Sequence, residues 1–353
     1  MSYNIAVLSG DHIGPEVMAE ARKVLDAAAS SEGFSLNYTE GLIGGAAIDA
    51  AGEPLPPDTR QLCLNSQAVF LGSVGGPEWD HLPPEKRPET GGLLALRKAL
   101  GLYANLRPVR LYPQLAAFCP LNFQEREKRV DILTVRELTG GIYFGEPKKL
   151  SEDEGLDTMV YRREEVQRIL EAGFKAARSR SGRVCSVDKA NVLRSSMLWR
   201  ETAIAYGKAN SDVELSHMYV DNAAMQLILN PARFDVIVTG NLFGDILSDE
   251  SAALAGSLGM LPSASLGETV HLFEPSGGSA PDIAGKGLAN PLAQILSGAM
   301  MLEYSLGEKR AAERIYSAVE KTIAAGFRTA DIAFSGEKVS GTAAMGDAVA
   351  ERL

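Results

Sequence analysis

Short apolar runs alternate along the whole chain with stretches whose apolar positions recur every three or four residues. The runs at 5–8, 68–71, 130–135, 184–187, 215–220 and 236–238 predict strands. Most are short and rich in Val, Ile and Leu, as strands buried in a sheet are. Between them, Val166, Ile169, Leu170, Phe174 and Ala177 share one face of a helical repeat, and 15–29 and 308–325 follow the same pattern. Strands alternating with helices predict an α/β fold in which helices cover the buried strands. Pro- and Gly-rich segments at 52–57, 72–92 and 275–291 are expected to be loops of a compact protein. A charged stretch at 145–155 fits a solvated surface loop or a projecting arm.

Composition narrows the function. A chain of 353 residues has length for about two domains. Its net charge of −10 argues against nucleic acid or an anionic membrane as partner, since either is bound through a basic surface. Three cysteines, an odd number, exclude a disulfide scaffold and predict buried thiols in a reducing cytoplasm. The opening MSYNIAVLSGD lacks the basic and long apolar regions of a secretion signal. The long uncharged stretch at 251–267 is broken by Gly, Ser and Pro and predicts no membrane span.

Several common chemistries lack their signatures. No G-x-G-x-x-G follows a strand, no phosphate-binding G-x-x-x-x-G-K-[ST] occurs, and no G-x-S-x-G elbow is present. His12, His81, His217 and His271 are scattered, and Cys63, Cys119 and Cys185 form no C-x-x-C. The remaining candidates are Asp, Arg, Lys and Tyr.

The clearest group is Asn241-Leu-Phe-Gly-Asp245-Ile-Leu-Ser-Asp249, directly after an apolar strand. Asp245 and Asp249, four apart, share a helix face, where like charges repel by about 0.2–0.5 kcal/mol unless compensated. Helix-dipole stabilisation explains acids in a first turn. It does not explain Asp221, which also follows a strand, and three carboxylates at strand ends suit a hard divalent cation such as Mg²⁺. Arg97, Arg107 and Arg136 offer forked donors that match a substrate with two carboxylates, although each alone reads as a surface residue. Lys189 follows a strand in Asp188-Lys-Ala-Asn-Val192; position alone reads as a surface lysine, whereas among cations a lysine there can have its pKa lowered enough to act as a base. In Gly277-Gly-Ser-Ala-Pro-Asp282-Ile283, glycines allow close backbone approach to a pyrophosphate. Asp282 would accept from a ribose hydroxyl and repel a 2′-phosphate, unless the segment is merely a structural turn.

Together these segments resemble the isocitrate/isopropylmalate dehydrogenases over essentially the whole chain. The resemblance rests on Gly10-Asp-His-Ile-Gly-Pro-Glu16, Leu71-Gly-Ser-Val-Gly-Gly-Pro-Glu-Trp-Asp80 and Arg136-Glu-Leu-Thr-Gly-Gly-Ile-Tyr-Phe-Gly145. It continues through Asp188-Lys-Ala-Asn-Val192, Gly240-Asn-Leu-Phe-Gly-Asp-Ile-Leu-Ser-Asp249 and Gly278-Ser-Ala-Pro-Asp-Ile-Ala-Gly285. Thr139-Gly-Gly-Ile-Tyr143 is similar to the isopropylmalate branch. Two positions depart from the family pattern: His12 stands where glycine is usual, and Gly277 where a histidine is common.

The resemblance implies a two-domain isocitrate/isopropylmalate dehydrogenase-like α/β fold without the usual Rossmann fingerprint. Residues 1–102 with 256–353 would form a discontinuous first domain, and 103–255 a second that carries the metal site, the dimer interface and an arm near 145–161. It implies NAD-dependent oxidative decarboxylation of 3-isopropylmalate, in leucine biosynthesis, by a cytoplasmic homodimer with shared active sites. Arg97, Arg107 and Arg136 would hold the substrate carboxylates, and Asp245, Asp249 and the partner's Asp221 would hold Mg²⁺ or Mn²⁺. Asp221 would also touch the substrate. Lys189, from the partner, would take the hydroxyl proton and Tyr143 would donate one. Leu93, Leu94 and Val192 would line the alkyl pocket, with Glu89 nearby. Gly278, Ser279, Ala280, Pro281, Asp282, Ile283 and Asn290 would bind NAD. The alternative is a sister enzyme acting on homoisocitrate, tartrate or another 3-substituted malate. A non-catalytic carboxylate-binding protein and a metal-dependent hydrolase are the readings from other classes.

Overall fold

A computed structural model describes residues 1–119 and 130–353. The chain divides into two compact units, Met1–Leu102 with Ser257–Leu353, and Tyr103–Gly256. Each contains β-strands and helices, as the alternating pattern predicts for an α/β fold.

In the first unit the strands lie in the order Ser35–Glu40, Ser2–Gly10, Ala68–Ser73, His271–Pro275 and Pro262–Leu266. All neighbours are parallel except the last pair, in which Ala264 faces Phe273. Phe70, Leu71, Leu8 and Phe273 are buried, each contributing about 1.5–3 kcal/mol. Helices Gly14–Glu32, Leu292–Tyr304, Lys309–Ala324 and Thr342–Ala350 pack together beside them. Helix Leu292–Tyr304 is buried almost all round, so it has no polar face and no amphipathic signal in the sequence. The ends of Ser2–Gly10 and Ala68–Ser73 come very close. Gly10 takes φ +71°, and a Cβ there would lie 1.9 Å from the Ser73 carbonyl oxygen.

In the second unit the order is Ala104–Arg110, Asp131–Glu137, Val236–Thr239, Arg183–Asp188 and Glu214–Tyr219. Only the first pair is antiparallel, with Asn105 opposite Arg136 and Arg107 opposite Thr134. Helix Arg163–Arg178 buries Val166, Ile169, Leu170, Phe174 and Ala177, the stripe read from the sequence. The strand expected at 215–220 ends at Tyr219, because Val220 opens helix Val220–Leu229. The charged stretch forms a small exposed hairpin, Lys149–Leu150 against Gly155–Leu156. Cys63, Cys119 and Cys185 are free and buried. Among the described residues no helix is long and apolar enough to cross a membrane.

Candidate active site

The second unit gathers two arginines, two aspartates and a tyrosine where strands Ala104–Arg110 and Asp131–Glu137 meet helix Asn241–Ala255. Asp245 and Asp249 share a face of that helix, and the arginines compensate their charges. Arg136, with a side chain only 3% exposed, holds Asn241 Oδ1 through Nε (3.1 Å) and Nη2 (2.9 Å), and Asp245 through Nη1. Arg107 donates to Asn105 Oδ1 (2.7 Å), Ser248 Oγ (2.8 Å) and Asp249 Oδ1 (2.9 Å), and its Nη1 lies 3.3 Å from Asp245 Oδ1. Gly244 makes room for this network: a Cβ there would lie 2.7 Å from Arg136 Cγ.

Tyr143 Oη donates to Asp245 Oδ2 at 3.0 Å, and the Arg136 guanidinium lies 5.7 Å from the ring centre. Partial burial raises the Tyr143 phenol above its ordinary 10.0; Asp245 adds to the rise, and Arg136 and Arg107 oppose it. Tyr143 therefore keeps its proton at neutral pH and can give it. Partial burial also lifts the Asp249 carboxyl, Asp245 reinforces this, and Arg107 opposes it. Two hard carboxylates on one helix face fit a divalent cation. Among the described residues no group of three acid, His or Cys side chains is gathered to hold a metal.

Lys189 and Asp221 form a second group. Lys189 follows strand Arg183–Asp188 and donates to Asp221 Oδ1 at 2.6 Å, so its near neighbour is an acid and not the cations the sequence reading invoked. Hydrogen bonding from Lys189 holds the Asp221 carboxyl below its ordinary range. Arg200 fixes both segments: it grips Asp188 at 2.6 and 2.9 Å and lies 5.0 Å from the Tyr219 ring centre. Val192 is 63% exposed.

In the first unit, Arg97 is buried and its Nη2 donates to buried Glu274 at 2.6 Å. Leu93 and Leu94 end the π-helical turn Pro88–Leu94, half-buried, and Glu89 is exposed on it. Separately, the 277–290 loop borders a cavity of about 440 Å³ lined by Ile13, Leu258, Gly278, Ala280, Ile283 and Asn290. Ser279 Oγ donates to the Gly75 carbonyl at 2.7 Å, and its own carbonyl accepts from Ile13 N–H at 3.1 Å. Ala280 is held at φ +44°. Pro281 and Asp282 are exposed, and Asn290 Nδ2 donates to Asp331 at 3.0 Å. An apolar cavity beside a loop with an exposed carboxylate fits an adenine nucleotide without a 2′-phosphate. His12 adopts φ +52°, a left-handed conformation that accounts for glycine being usual at this position.

Sequence reasoning overlooked the residues that orient the arginines. Asn105 precedes Arg107 by two on one strand, and so shares its face; that spacing is a usable signal. Asn241 and Ser248 sit within the conspicuous Asp245 segment. Glu274 carries no such sign.

A profile of the isocitrate/isopropylmalate dehydrogenase family matches residues 4–349. The chain is 58% identical to the 3-isopropylmalate dehydrogenase of Thermotoga maritima over 349 residues, covering 99% of this chain and 98% of that one. It is 56% identical to that of Mannheimia succiniciproducens over 357 residues, covering 100% and 99%. Among solved structures, isocitrate dehydrogenase from Methylococcus capsulatus aligns with a TM-score of 0.87 at 37% identity over 99% of both chains. A β-decarboxylating dehydrogenase from Thermococcus kodakarensis aligns at 0.80 and 34%, over 99% and 96%. With the whole chain covered and acid, arginine and tyrosine gathered in one network, this protein belongs to the isocitrate/isopropylmalate dehydrogenase family.

Proposed function

We propose that the protein oxidatively decarboxylates 3-isopropylmalate to 4-methyl-2-oxopentanoate and carbon dioxide with NAD⁺, in leucine biosynthesis. The observation that carries this reading is the network of Arg107, Arg136, Tyr143, Asp245 and Asp249, which combines carboxylate binding, cation binding and a protonated acid. Arg97, Arg107 and Arg136 bind the two substrate carboxylates. Lys189 accepts the proton of the C2 hydroxyl as its hydride leaves. Residues 278–283 and Asn290 would hold NAD⁺, which would supply the hydride acceptor, and Asp282 would accept from a ribose hydroxyl. Mg²⁺ or Mn²⁺, when held by Asp245, Asp249 and Asp221, supplies Lewis acidity for the loss of carbon dioxide from the keto acid. Tyr143 then returns a proton to the carbon that lost the carboxylate. Leu93, Leu94 and Val192 suit an alkyl substituent better than a third carboxylate.

The protein works as a cytoplasmic homodimer in this reading, with Lys189 and Asp221 serving the partner's substrate. Met225, Ile228 and Leu229 on helix Val220–Leu229 are more than half exposed, as is Ile246 on neighbouring helix Asn241–Ala255. Such an apolar patch suits a subunit interface, and the exposed hairpin at 149–156 suits an arm across it. The deciding assay follows NADH formation with a panel of 3-substituted malates, with and without Mg²⁺. The highest kcat/KM is expected for 3-isopropylmalate with the metal present; preference for homoisocitrate or tartrate would refute the substrate.

A further inference from the structure

Asp11 is a carboxylate only 4% exposed, and backbone amides converge on it. Oδ2 accepts from Gly75 N–H at 2.7 Å and Gly45 N–H at 3.0 Å, and Oδ1 from Ala46 N–H at 2.8 Å. Its main chain is tied as closely. Asp11 N–H donates to the Ser73 carbonyl at 2.7 Å, and its carbonyl accepts from Ser73 Oγ at 2.8 Å. Charge-assisted bonds of this kind are short and roughly twice as strong as neutral ones. They offset the cost of burying an anion, and one amide oxygen could not accept from both sides.

The amides lead somewhere. Gly75, held through its N–H, offers its carbonyl to Ser279 Oγ, and Ser279 in turn accepts from Ile13, two residues after Asp11. The path Asp11–Gly75–Ser279–Ile13 thus closes on itself, and its far side is the 277–290 loop. Ala280 follows Ser279 directly, in a left-handed conformation that a non-glycine residue keeps only when its surroundings enforce it.

We propose that Asp11 is a positioning residue for the cofactor loop: through Gly75 and Ser279 it holds 278–283 in the shape that receives the nucleotide, without touching it. This rests on the cofactor reading of the loop given above. The test compares Asp11→Asn and Ser279→Ala in the full-length protein, by hydrogen–deuterium exchange over 277–285 and by steady-state kinetics. Exchange without cofactor should quicken in both variants. In Asp11→Asn, KM for NAD⁺ should rise about tenfold, with kcat and the malate KM within about twofold, the scale of one lost charge-assisted bond. Unchanged exchange in Ser279→Ala, whose lesion spares Asp11 itself, overturns the proposal even where Asp11→Asn does not fold. So does a loss of kcat with unchanged KM for NAD⁺. A loop that loosens in both variants yet is not protected by NAD⁺ in the unsubstituted protein overturns the cofactor reading, and leaves the hold of Asp11 on the loop standing.

Discussion

Around Asp245, order comes from side chains gripping side chains: two guanidinium forks, two carboxylates, two amides and a phenol on strands and a helix. Around Ser279, order comes mostly from the main chain, with amides on Asp11 and one hydroxyl on a carbonyl. The charged network stands ready for groups that carry charge, and exchanging one member leaves another unpaired. The loop borders an apolar cavity and carries the exposed carboxylate of Asp282. Substitutions in the network should therefore act on turnover, and substitutions in the loop on cofactor affinity.

The largest effect is expected at the two groups proposed to transfer protons. Tyr143→Phe and Lys189→Ala should each lower kcat by about 10²–10⁴-fold while KM for NAD⁺ holds, as for lost general acids and bases. Refolded together, the two inactive chains should regain roughly a quarter of the sites, because a two-fold dimer that shares residues across its axis leaves one mixed site intact. No recovery in confirmed mixed dimers would return Lys189 to its own chain's site. Next comes Asp245→Asn, expected to cost about 10²–10³-fold in kcat, the scale of a lost electrostatic contact in a transition state. Added Mg²⁺ should then no longer raise the melting temperature in the presence of substrate. A variant with normal kcat and a raised KM for NAD⁺ would break the division between network and loop.

Smaller effects test the loop. Asp282→Asn should narrow the NAD⁺-over-NADP⁺ ratio of kcat/KM by about tenfold, the scale of removing one like charge beside a phosphate; an unchanged ratio would remove Asp282 from cofactor choice. The smallest expected change is none. Burial and Asp245 raise the Tyr143 pKa, so the protonated form persists above the ordinary value of 10.0. Rates from neutrality to that pH should show no fall from Tyr143 ionisation, and a fall that Tyr143→Phe abolishes would contradict its environment.

Much of this was legible in the chain. Strand Val236–Thr239 and residues 184–187 of strand Arg183–Asp188 announce themselves because both faces are buried and every residue there is apolar or small. Asp245 and Asp249 reveal a shared face by spacing alone. Strands Ser35–Glu40 and Ala104–Arg110 escaped notice: the first is partly exposed and polar, and the second carries Asn105 and Arg107 on the face that builds the network. Helix Leu292–Tyr304 escaped for the opposite reason, being apolar on all sides.

The sequence by itself determined the fold class, the residue types of the chemistry and the order in which they occur, because periodicity and spacing act within one element. Tertiary structure decided what compensates the repulsion between Asp245 and Asp249. Arg107 and Arg136 lie more than a hundred residues away and reach the helix only through antiparallel pairing of their strands, past a glycine with no Cβ to block Arg136. It also decided that Lys189 faces Asp221 and that Asp11 is linked through Gly75 to Ser279, far along the chain. Those relations are set by distances in space, and bonding across such separations leaves no period in the chain to read.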